Sequence, residues 1–469
     1  MSKALFWFRQ DLRLMDNPGL ASACQTHDQI LLIYILDPQL KHTAQAWWLH
    51  HSLSKLMAHL KQHQQELILL EGEPQQLMQT LIENHQIEAV YWNRLYEPQL
   101  IARDQLIKTN LKQQGVNVRS FNASLLHEPW TINNKQGNNF KVFTPYWKHC
   151  RQQIVTRMSS MISKWPQAIS LTSKTLADWA LLPSKPNWAS QFESYWTPGE
   201  AAAHDKLNHF IDHKIGNYQE QRNFPSIDAS SRLSPHLHFG EISPCHIYQR
   251  TLEYQMQHPE TLASSEHFLS ELGWREFSYY LLFHFPKLPF ENFKSMFDAF
   301  PWHENQAALK KWQQGQTGYP IVDAGMRELW LTGGMHNRVR MIVASFLIKN
   351  LFIHWQEGAK WFDATLMDAD MASNYASWQW VAGSGADAAP YFRIFNPILQ
   401  GEKFDPDGSY VKKWVPELTT VSTKWIHQPW AAPPGGLSIR LGIDYPLPIV
   451  DHQITRHQAL EYYQSIKHL

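Results

Sequence analysis

The first 130 residues alternate short apolar runs with amphipathic stretches, and this alternation constrains the fold more than any other feature. The apolar runs lie at 5–8, 30–36, 67–70 and 89–92, and their length is typical of buried strands. The stretches HHSLSKLMAHLKQHQQ and PQQLMQTLIENH between them have helical spacing. Strands that alternate with helices indicate a doubly wound parallel sheet. The glycine-rich nucleotide-binding turn is absent, because RQDLRLMDNPGL follows the first strand.

The rest of the chain changes character twice. Residues 131–199 are polar and rich in turn formers, with a helix expected around 145–163, and they predict an interdomain linker. From residue 200 to 469, helical periodicity dominates, as in SSEHFLSELGWREFSYYLLFHF and WFDATLMDADMASNYASWQW. We therefore predict an α/β domain at 1–130, a linker at 131–199 and an all-α domain at 200–469.

The length and composition of the chain indicate its domain number, its compartment and its kinds of partner. The chain of 469 residues is too long for one ordinary core. Its formal charge of zero carries no global sign of nucleic-acid binding. Three distant cysteines predict a reducing compartment, and the charged start MSKALFWFRQDLRL predicts no signal peptide. No apolar run is long enough for a membrane span. We expect a soluble cytoplasmic monomer.

The 25 histidines do not predict a metal site, because none of their spacings is that of a zinc-ligand pair. His236 and His238 in SPHLHFG are the nearest to such a pair, and a structural role explains them better. We therefore predict no metal centre.

Residues 366–397 concentrate carboxylates, amides and tryptophans in one interval. Asn374 and Trp378 are four apart and share a face if helical, and Asp368 and Asp370 lie just upstream. Ordinary cores avoid unpaired carboxylates, so this mixture favours a site for a polar aromatic ligand. An aromatic core with helix-capping Asp residues explains the same spacing and stays open at this point.

Two further motifs repeat this mixture of residue types. In ELGWREF, Glu271, Trp274 and Arg275 share one helical face. In MHNRVRM, Asn337 and Met341 share another, and they offer an amide and a soft apolar contact to a flat ligand. A surface Glu–Arg pair and an exposed basic helix start are the alternative interpretations.

A serine-rich segment, DASSRLSPHLHFG, precedes a helical stretch. Its hydroxyls and the helix N-terminus suit a phosphate, although simple helix capping explains such serines more often. If these motifs converged in one helical domain, they would form a site for a large dinucleotide with a redox-active ring.

The order of the motifs resembles that of the DNA photolyase/cryptochrome family along nearly the whole chain. The matching stretches are LFWFRQDLRLMDNPGL, KVFTPYW, SRLSPHLHFGEIS, ELGWREF, TGYPIVDAGMREL, MHNRVRM, WQWVAGSGADAAPYFRIFNP and KFDPDGSYVKKWVPEL. The resemblance implies an N-terminal α/β antenna domain and a helical C-terminal domain that binds FAD.

The resemblance also implies roles for individual residues. The implied FAD-binding residues are Tyr218, Ser230, Ser231, Arg232, Leu233, Ser234, Arg275, Asn337, Asp368, Asp370 and Asn374. The implied catalytic residues are Glu271, Asn374 at flavin N5, and an electron relay of Trp378, Trp355 and Trp302. The implied residues for DNA and the lesion are Trp274, Asn337, Arg338, Met341, Trp380, Arg393 and Lys403.

The activity that follows from the resemblance is light-dependent repair of cyclobutane pyrimidine dimers in UV-damaged DNA. The enzyme would be a deoxyribodipyrimidine photo-lyase, in which the cofactor supplies the difficult step and the protein supplies orientation and electrostatics. It would associate with the bacterial nucleoid when bound to DNA. The alternative is a cryptochrome-type blue-light photoreceptor that uses the same flavin and tryptophans for signalling.

Branch-specific residues favour dimer photolyases, in particular class III or class I bacterial enzymes. The sequence MHNRVRM lacks the histidine-containing pocket of (6-4) photolyases, whereas AWWLHHSL and WIHQPW resemble plant cryptochromes. Departures from the usual pattern are Phe268, Gly334 and the residues Tyr375, Ala376 and Ser377.

The resemblance also implies an antenna chromophore. YEPQLIARD lacks the Asn-Glu pair that binds folate in some class I enzymes. The antenna is therefore a methenyltetrahydrofolate held differently, which we favour, a deazaflavin, or absent.

Overall fold

The computed structural model describes residues 1–153, 160–388 and 392–467. Its residues group into two compact units. Unit 1 comprises residues 1–216 and 231–286, and unit 2 comprises residues 217–230 and 287–469. This grouping follows spatial contacts, whereas the boundaries at 130 and 199 follow sequence pattern and remain a prediction.

Unit 1 is built on a parallel sheet. Its strands are β1 (Lys3–Phe8), β2 (Gln29–Leu36), β3 (Leu67–Glu71), β4 (Ala89–Asn93), β5 (Asn117–Phe121) and β6 (Gln167–Ala168). The order is β3-β2-β1-β4-β5, with the short β6 beside β2, and all these pairings are parallel. The first four strands confirm the predicted sheet. β5 was not predicted, because NVRSF buries only Val118.

The helices of unit 1 follow the strands and then continue beyond the sheet. They are α1 (Pro18–Thr26), α2 (Ala44–Gln62), α3 (Pro74–His85), α4 (Pro98–Gln113), α5 (Phe143–Arg151), α6 (Leu176–Trp179), α7 (Glu200–His213), α9 (Ser234–His238), α10 (Pro244–Gln257) and α11 (Leu262–His284). Proline begins α1, α3 and α4, where its missing N–H costs nothing. The helix expected around 145–163 corresponds to α5, and residues 154–159 lie outside the described part.

A buried polar cluster explains the histidines of SPHLHFG. The ring of His236 hydrogen-bonds to Glu241, and both side chains are fully buried. Glu241 also accepts hydrogen bonds from the indole N–H of Trp48, at 3.1 Å, and from the backbone N–H of Gly199, at 2.8 Å. His238 bonds to Gln45 at 3.0 Å. The two histidines therefore have structural partners, as expected.

Unit 2 is helical. Its helices are α8 (Tyr218–Gln221), α12 (Gln306–Gln313), α13 (Pro320–Thr332), α14 (Asn337–Lys349), α15 (Trp355–Thr365), α16 (Met371–Ala382), α17 (Pro397–Phe404), α18 (Ser409–Trp414) and α19 (His452–Ile466). No strand occurs in the described part of unit 2. Across all described residues, no helix has the length and apolar character needed to cross a membrane.

The segment WFDATLMDADMASNYASWQW forms two helices, α15 and α16, where its periodicity suggests one. Helix α15 ends at Thr365, its C-cap Leu366 is extended, and α16 begins after Asp370. The Asp370 carboxylate accepts the backbone N–H of Ser373 at 2.7 Å, which is the typical bond of an N-cap. The intervening turn therefore carries Asp368 and Asp370 outside any helix.

Candidate functional site

Helix α16 places Asn374 and Trp378 on one face, as predicted, and hydrogen bonds orient the Asn374 amide. Its Nδ2 donates to the carbonyl of Ala359 at 3.0 Å and to Oδ1 of Asp363 at 2.7 Å. The Tyr375 hydroxyl donates to the other Asp363 oxygen at 2.8 Å. Burial raises the pKa of the Asp363 carboxyl, and these two hydrogen bonds oppose the rise. The Asn374 Oδ1 accepts no hydrogen bond from any described residue.

The Trp378 indole is buried against α15 because Gly358 leaves room for it. A Cβ at position 358 would lie 2.1 Å from the indole ring. Trp378 is 2% exposed, and its Nε1 donates to no described residue. Phe362 contacts the ring edge-on at 5.0 Å and Trp312 does so at 6.2 Å.

The other two predicted relay tryptophans are joined through a histidine. The Trp302 ring lies 4.7 Å from His354, which lies 5.4 Å from Trp355. Trp355 is fully buried and Trp302 is partly exposed. Trp355 also contacts Tyr375 of α16 edge-on at 6.1 Å. Aromatic rings therefore extend from a partly exposed position to the helix that carries Trp378.

Asp368 and Asp370, the two carboxylates predicted for the site, contact different groups. One guanidinium nitrogen of Arg340 donates to both Asp368 oxygens, at 3.0 and 2.9 Å. Arg340 also donates to the carbonyl of Met335. Asp370 caps α16, so the capping interpretation holds for this residue. Arg340 was not predicted from the sequence, because it lies 28 residues from its partner.

Arg338, at the start of α14, interacts electrostatically with two other arginines. Its guanidinium lies 4.4 Å from the Phe404 ring centre and donates to the neutral amide of Asn223 at 2.7 Å. Burial lowers the pKa of Arg338, and the positive charges of Arg222 and Arg393 lower it further. The Arg222 guanidinium lies 5.3 Å from the Tyr218 ring centre. Arg222 was not predicted as a site residue.

His336 caps the helix that carries Arg338. Its Nδ1 accepts the backbone N–H of Arg338 at 3.2 Å, which requires that nitrogen to be unprotonated. Burial lowers the pKa of His336 to about 4, and the positive charges of Arg222, Arg340 and Arg338 act in the same direction. The cap is therefore intact at neutral pH. Asn337, the next residue, is exposed.

Trp380 and Arg393 line one small cavity of unit 2, together with Lys349. The Trp380 indole is partly exposed, and its Nε1 donates to the carbonyl of Asp387 at 3.1 Å. Lys349 is 2% exposed and donates to the carbonyl of Arg393. The remaining predicted DNA contacts of unit 2 are Met341, which is partly buried, and Lys403, which is exposed.

In unit 1, Trp274 is stacked on Phe143. The two rings are nearly parallel, with centroids 3.8 Å apart and an interplanar angle of 11°, and the Trp274 side chain is partly exposed. Phe143 is the first residue of α5 and is buried. One face of the Trp274 ring is thus covered by Phe143, which sequence reasoning did not identify.

The other predicted residues of unit 1 occupy α11 and the segment before α9. Arg275 donates to the carbonyl of Ser124 at 2.7 Å and approaches Glu276, its neighbour in sequence, to 3.6 Å. Glu271 is partly buried. The serine-rich segment is divided: Ser230 belongs to unit 2, and Ser231–Ser234 belong to unit 1. Arg232 has a φ of 54°, and its guanidinium lies 5.0 Å from the Trp196 ring.

Comparisons with known proteins identify the family to which this chain belongs. Residues 4–164 match the family model described as DNA photolyase, and residues 268–465 match the FAD binding domain of DNA photolyase. A deoxyribodipyrimidine photo-lyase from Agrobacterium fabrum is 47% identical, over 99% of this chain and 98% of that protein. The chain belongs to the DNA photolyase/cryptochrome family.

Both branches of the photolyase/cryptochrome family are represented among the relatives. The crystal structure of a bacterial class III photolyase from Agrobacterium tumefaciens matches with a TM-score of 0.97 and 47% identity, over 100% of this chain and 98% of that one. Cryptochrome-2 from Arabidopsis thaliana is 36% identical, over 97% of this chain and 77% of that protein. The predicted combination of a parallel α/β part with a helical FAD-binding part is confirmed.

The residues of unit 2 fit a photolyase flavin. Asn374 has an acceptor oxygen that no described residue uses, and Trp378 has a buried N–H that no described residue accepts. Asp368 is an ionic partner of Arg340. These groups offer an acceptor, a donor and a charged pair to a polar aromatic ring. No cluster of three or more metal-binding side chains occurs in the described ranges.

Proposed function

We propose that this protein is a light-dependent deoxyribodipyrimidine photo-lyase that splits cyclobutane pyrimidine dimers in UV-damaged DNA. The observation that carries the proposal is the cavity of unit 2 that Trp380 and Arg393 both line, because it places a guanidinium near a partly exposed indole. Guanidinium groups bind phosphates and a partly exposed indole stacks on a base. Together they suit a nucleotide that has left its duplex.

The residues would bind the lesion by stacking. A dimer inside a duplex cannot be reached, so it must flip out, at a cost of a few kcal/mol. Trp380 of unit 2 would stack on a flipped base, and such stacking contributes about 1–3 kcal/mol per base. One such contribution is comparable to the cost of flipping. Arg338 and Lys403 would hold the flanking phosphates.

The chemistry would need little acid–base machinery from the protein. When bound and reduced, FAD excited by near-UV or blue light supplies one electron to the dimer, which splits and returns the electron. Glu271 would hydrogen-bond a thymine edge. Asn374 would present its carbonyl oxygen to the flavin ring, and Trp378, Trp355 and Trp302 would conduct an electron from the partly exposed end.

Illumination of the purified, chemically reduced protein with a dimer-containing oligonucleotide tests this function. We expect the thymine absorbance to recover in the light and to stay constant in the dark. Absence of recovery with fully reduced, FAD-loaded protein would favour the alternative, a cryptochrome-type photoreceptor in which the tryptophan relay serves signalling.

A second chromophore is part of the proposal. We favour methenyltetrahydrofolate over a deazaflavin as this second chromophore. An absorption spectrum of fresh protein, with chromatography of the released chromophores, would distinguish a folate, a deazaflavin and FAD alone. We also propose that the protein acts as a cytoplasmic monomer, which size-exclusion chromatography with light scattering would test.

A further inference from the structure

The carboxylate of Asp363 is shared by two neighbouring residues of α16. Its Oδ1 accepts from Nδ2 of Asn374 at 2.7 Å and its Oδ2 accepts from the hydroxyl of Tyr375 at 2.8 Å. Both oxygens thus act as acceptors, which is the behaviour of an ionised carboxylate. Asp363 lies on α15 and is partly buried. None of the roles considered so far uses it.

The two bonds of the Asn374 amide determine which of its ends faces away from α15. The NH2 group meets two acceptors, Asp363 Oδ1 and the Ala359 carbonyl at 3.0 Å. Reversal of the amide would turn its oxygen toward these two oxygens and replace two attractive contacts with two repulsive ones. The Asn374 oxygen is therefore held on the side opposite to Asp363.

We propose that Asp363 is a positioning residue that keeps the Asn374 side-chain oxygen directed at N5 of FAD, so that it stabilises the reduced flavin. This inference rests on the proposed function, in which Asn374 faces N5. Reduced FAD carries a proton on N5 and donates there, whereas oxidised FAD has a lone pair and accepts. A carbonyl oxygen at N5 hence favours the reduced state, and an NH2 group favours the oxidised state.

The charge of Asp363 has an effect of the opposite sign. A carboxylate near the flavin disfavours added electrons, so removal of its charge alone would raise the reduction potential. Loss of amide orientation would lower the potential. The direction of the change therefore separates a positioning role from a purely electrostatic one.

The test is a redox titration of bound FAD in the wild type and in the Asp363→Asn variant. The variant keeps the size of the side chain but offers an NH2 group to Asn374, so that the amide can reverse. We expect the equilibrium constant for reduction to fall about tenfold, which is about 30 mV for a two-electron couple. Tyr375→Phe is the matched control: it removes the other donor to Asp363 and should leave the potential unchanged.

The same substitution in a protein that also carries Asn374→Ala tests whether the change in reduction potential depends on Asn374. In Asn374→Ala, Asp363→Asn should no longer lower the potential. A potential that is unchanged or raised by Asp363→Asn, or lowered equally in the Asn374→Ala background, would overturn the inference. If Asp363→Asn fails to fold, Asp363→Ala replaces it, since only the Ala359 carbonyl then holds the amide; the same decrease is expected, and no decrease overturns the proposal.

Failure of the proposed function would give a different experimental result. Wild-type protein that does not bind FAD would overturn both proposals. Wild-type protein that binds FAD and repairs dimers, while Asp363→Asn has the wild-type potential, would overturn the role of Asp363 alone.

Discussion

The indole of Trp274 lies parallel to the phenyl ring of Phe143, with ring centroids 3.8 Å apart. Phe143 begins α5 and Trp274 lies within α11, so the pair joins two helices of unit 1. A stacked partner restricts the indole and leaves its second face for a ligand. Phe143 is thereby expected to influence DNA binding although it was not predicted to touch DNA.

Phe143→Ala should weaken binding of dimer-containing DNA. Stacked aromatic pairs contribute about 0.5–1.5 kcal/mol, so the Kd should rise about 2- to 10-fold. Fluorescence anisotropy with damaged and undamaged oligonucleotides measures this. Phe140→Ala, which removes a ring that packs on Tyr146 and Tyr280, is the control. Equal weakening for undamaged DNA would contradict a lesion-specific role.

Trp378→Phe should abolish photoreduction of FAD while chemically reduced protein still repairs dimers. The phenyl ring keeps the packing against Gly358, but it is much harder to oxidise than an indole. Absorption spectra recorded under illumination measure the change. Trp312→Phe removes a buried indole that contacts Trp378 and should retain photoreduction; unchanged photoreduction in Trp378→Phe would refute the relay.

Arg338→Ala should weaken binding of damaged and undamaged DNA alike. A phosphate contact contributes to all sequences, so its loss should reduce the slope of log K against log salt by about 1. Binding isotherms at several salt concentrations measure the slope. Arg440→Ala, which removes an exposed arginine paired with Asp444, should leave it unchanged. A wild-type slope in Arg338→Ala would argue against a phosphate contact.

His336 should make unfolding depend on pH between about 4 and 6.5. Its folded pKa of about 4 lies below the ordinary histidine pKa of 6.5, so in this range the unfolded state binds more protons and stability falls as pH falls. His336→Asn keeps an N-cap acceptor without titrating. The His336→Asn substitution should reduce the loss of unfolding free energy over this pH range by on the order of 1–3 kcal/mol.

Urea unfolding of wild type and His336→Asn at a series of pH values measures that difference. His457→Asn changes an exposed histidine of α19 and serves as the control. Parallel pH profiles of the wild type and His336→Asn would contradict the assignment.

The sequence predicted elements better where one local pattern governs them. The buried strands β1–β4 and helices α2, α3, α11, α13 and α14 follow apolar periodicity closely. β5 was missed because a strand that buries one residue in its middle has no strong pattern. The break between α15 and α16 was missed because apolar spacing continues through it, whereas the Asp370 cap interrupts the backbone.

Candidate site residues within one helix were also accessible to sequence reasoning. Asn374 and Trp378 share the face predicted for them. Their partners were not accessible, since Phe143 lies more than a hundred residues from Trp274, and Arg340 lies 28 residues from Asp368. Spacing along a chain reports which side chains share a helix face and carries no information about contacts between distant segments.

By itself, the sequence determined the order of the strands and helices along the chain, the motifs that mark the photolyase/cryptochrome family and the identity of most candidate site residues, because each of these depends on local patterns. The tertiary structure alone decided which groups meet. It paired Asp363 with Asn374, stacked Phe143 on Trp274 and brought Arg393 to the cavity lined by Trp380, because side-chain orientation and burial arise only when helices pack against one another.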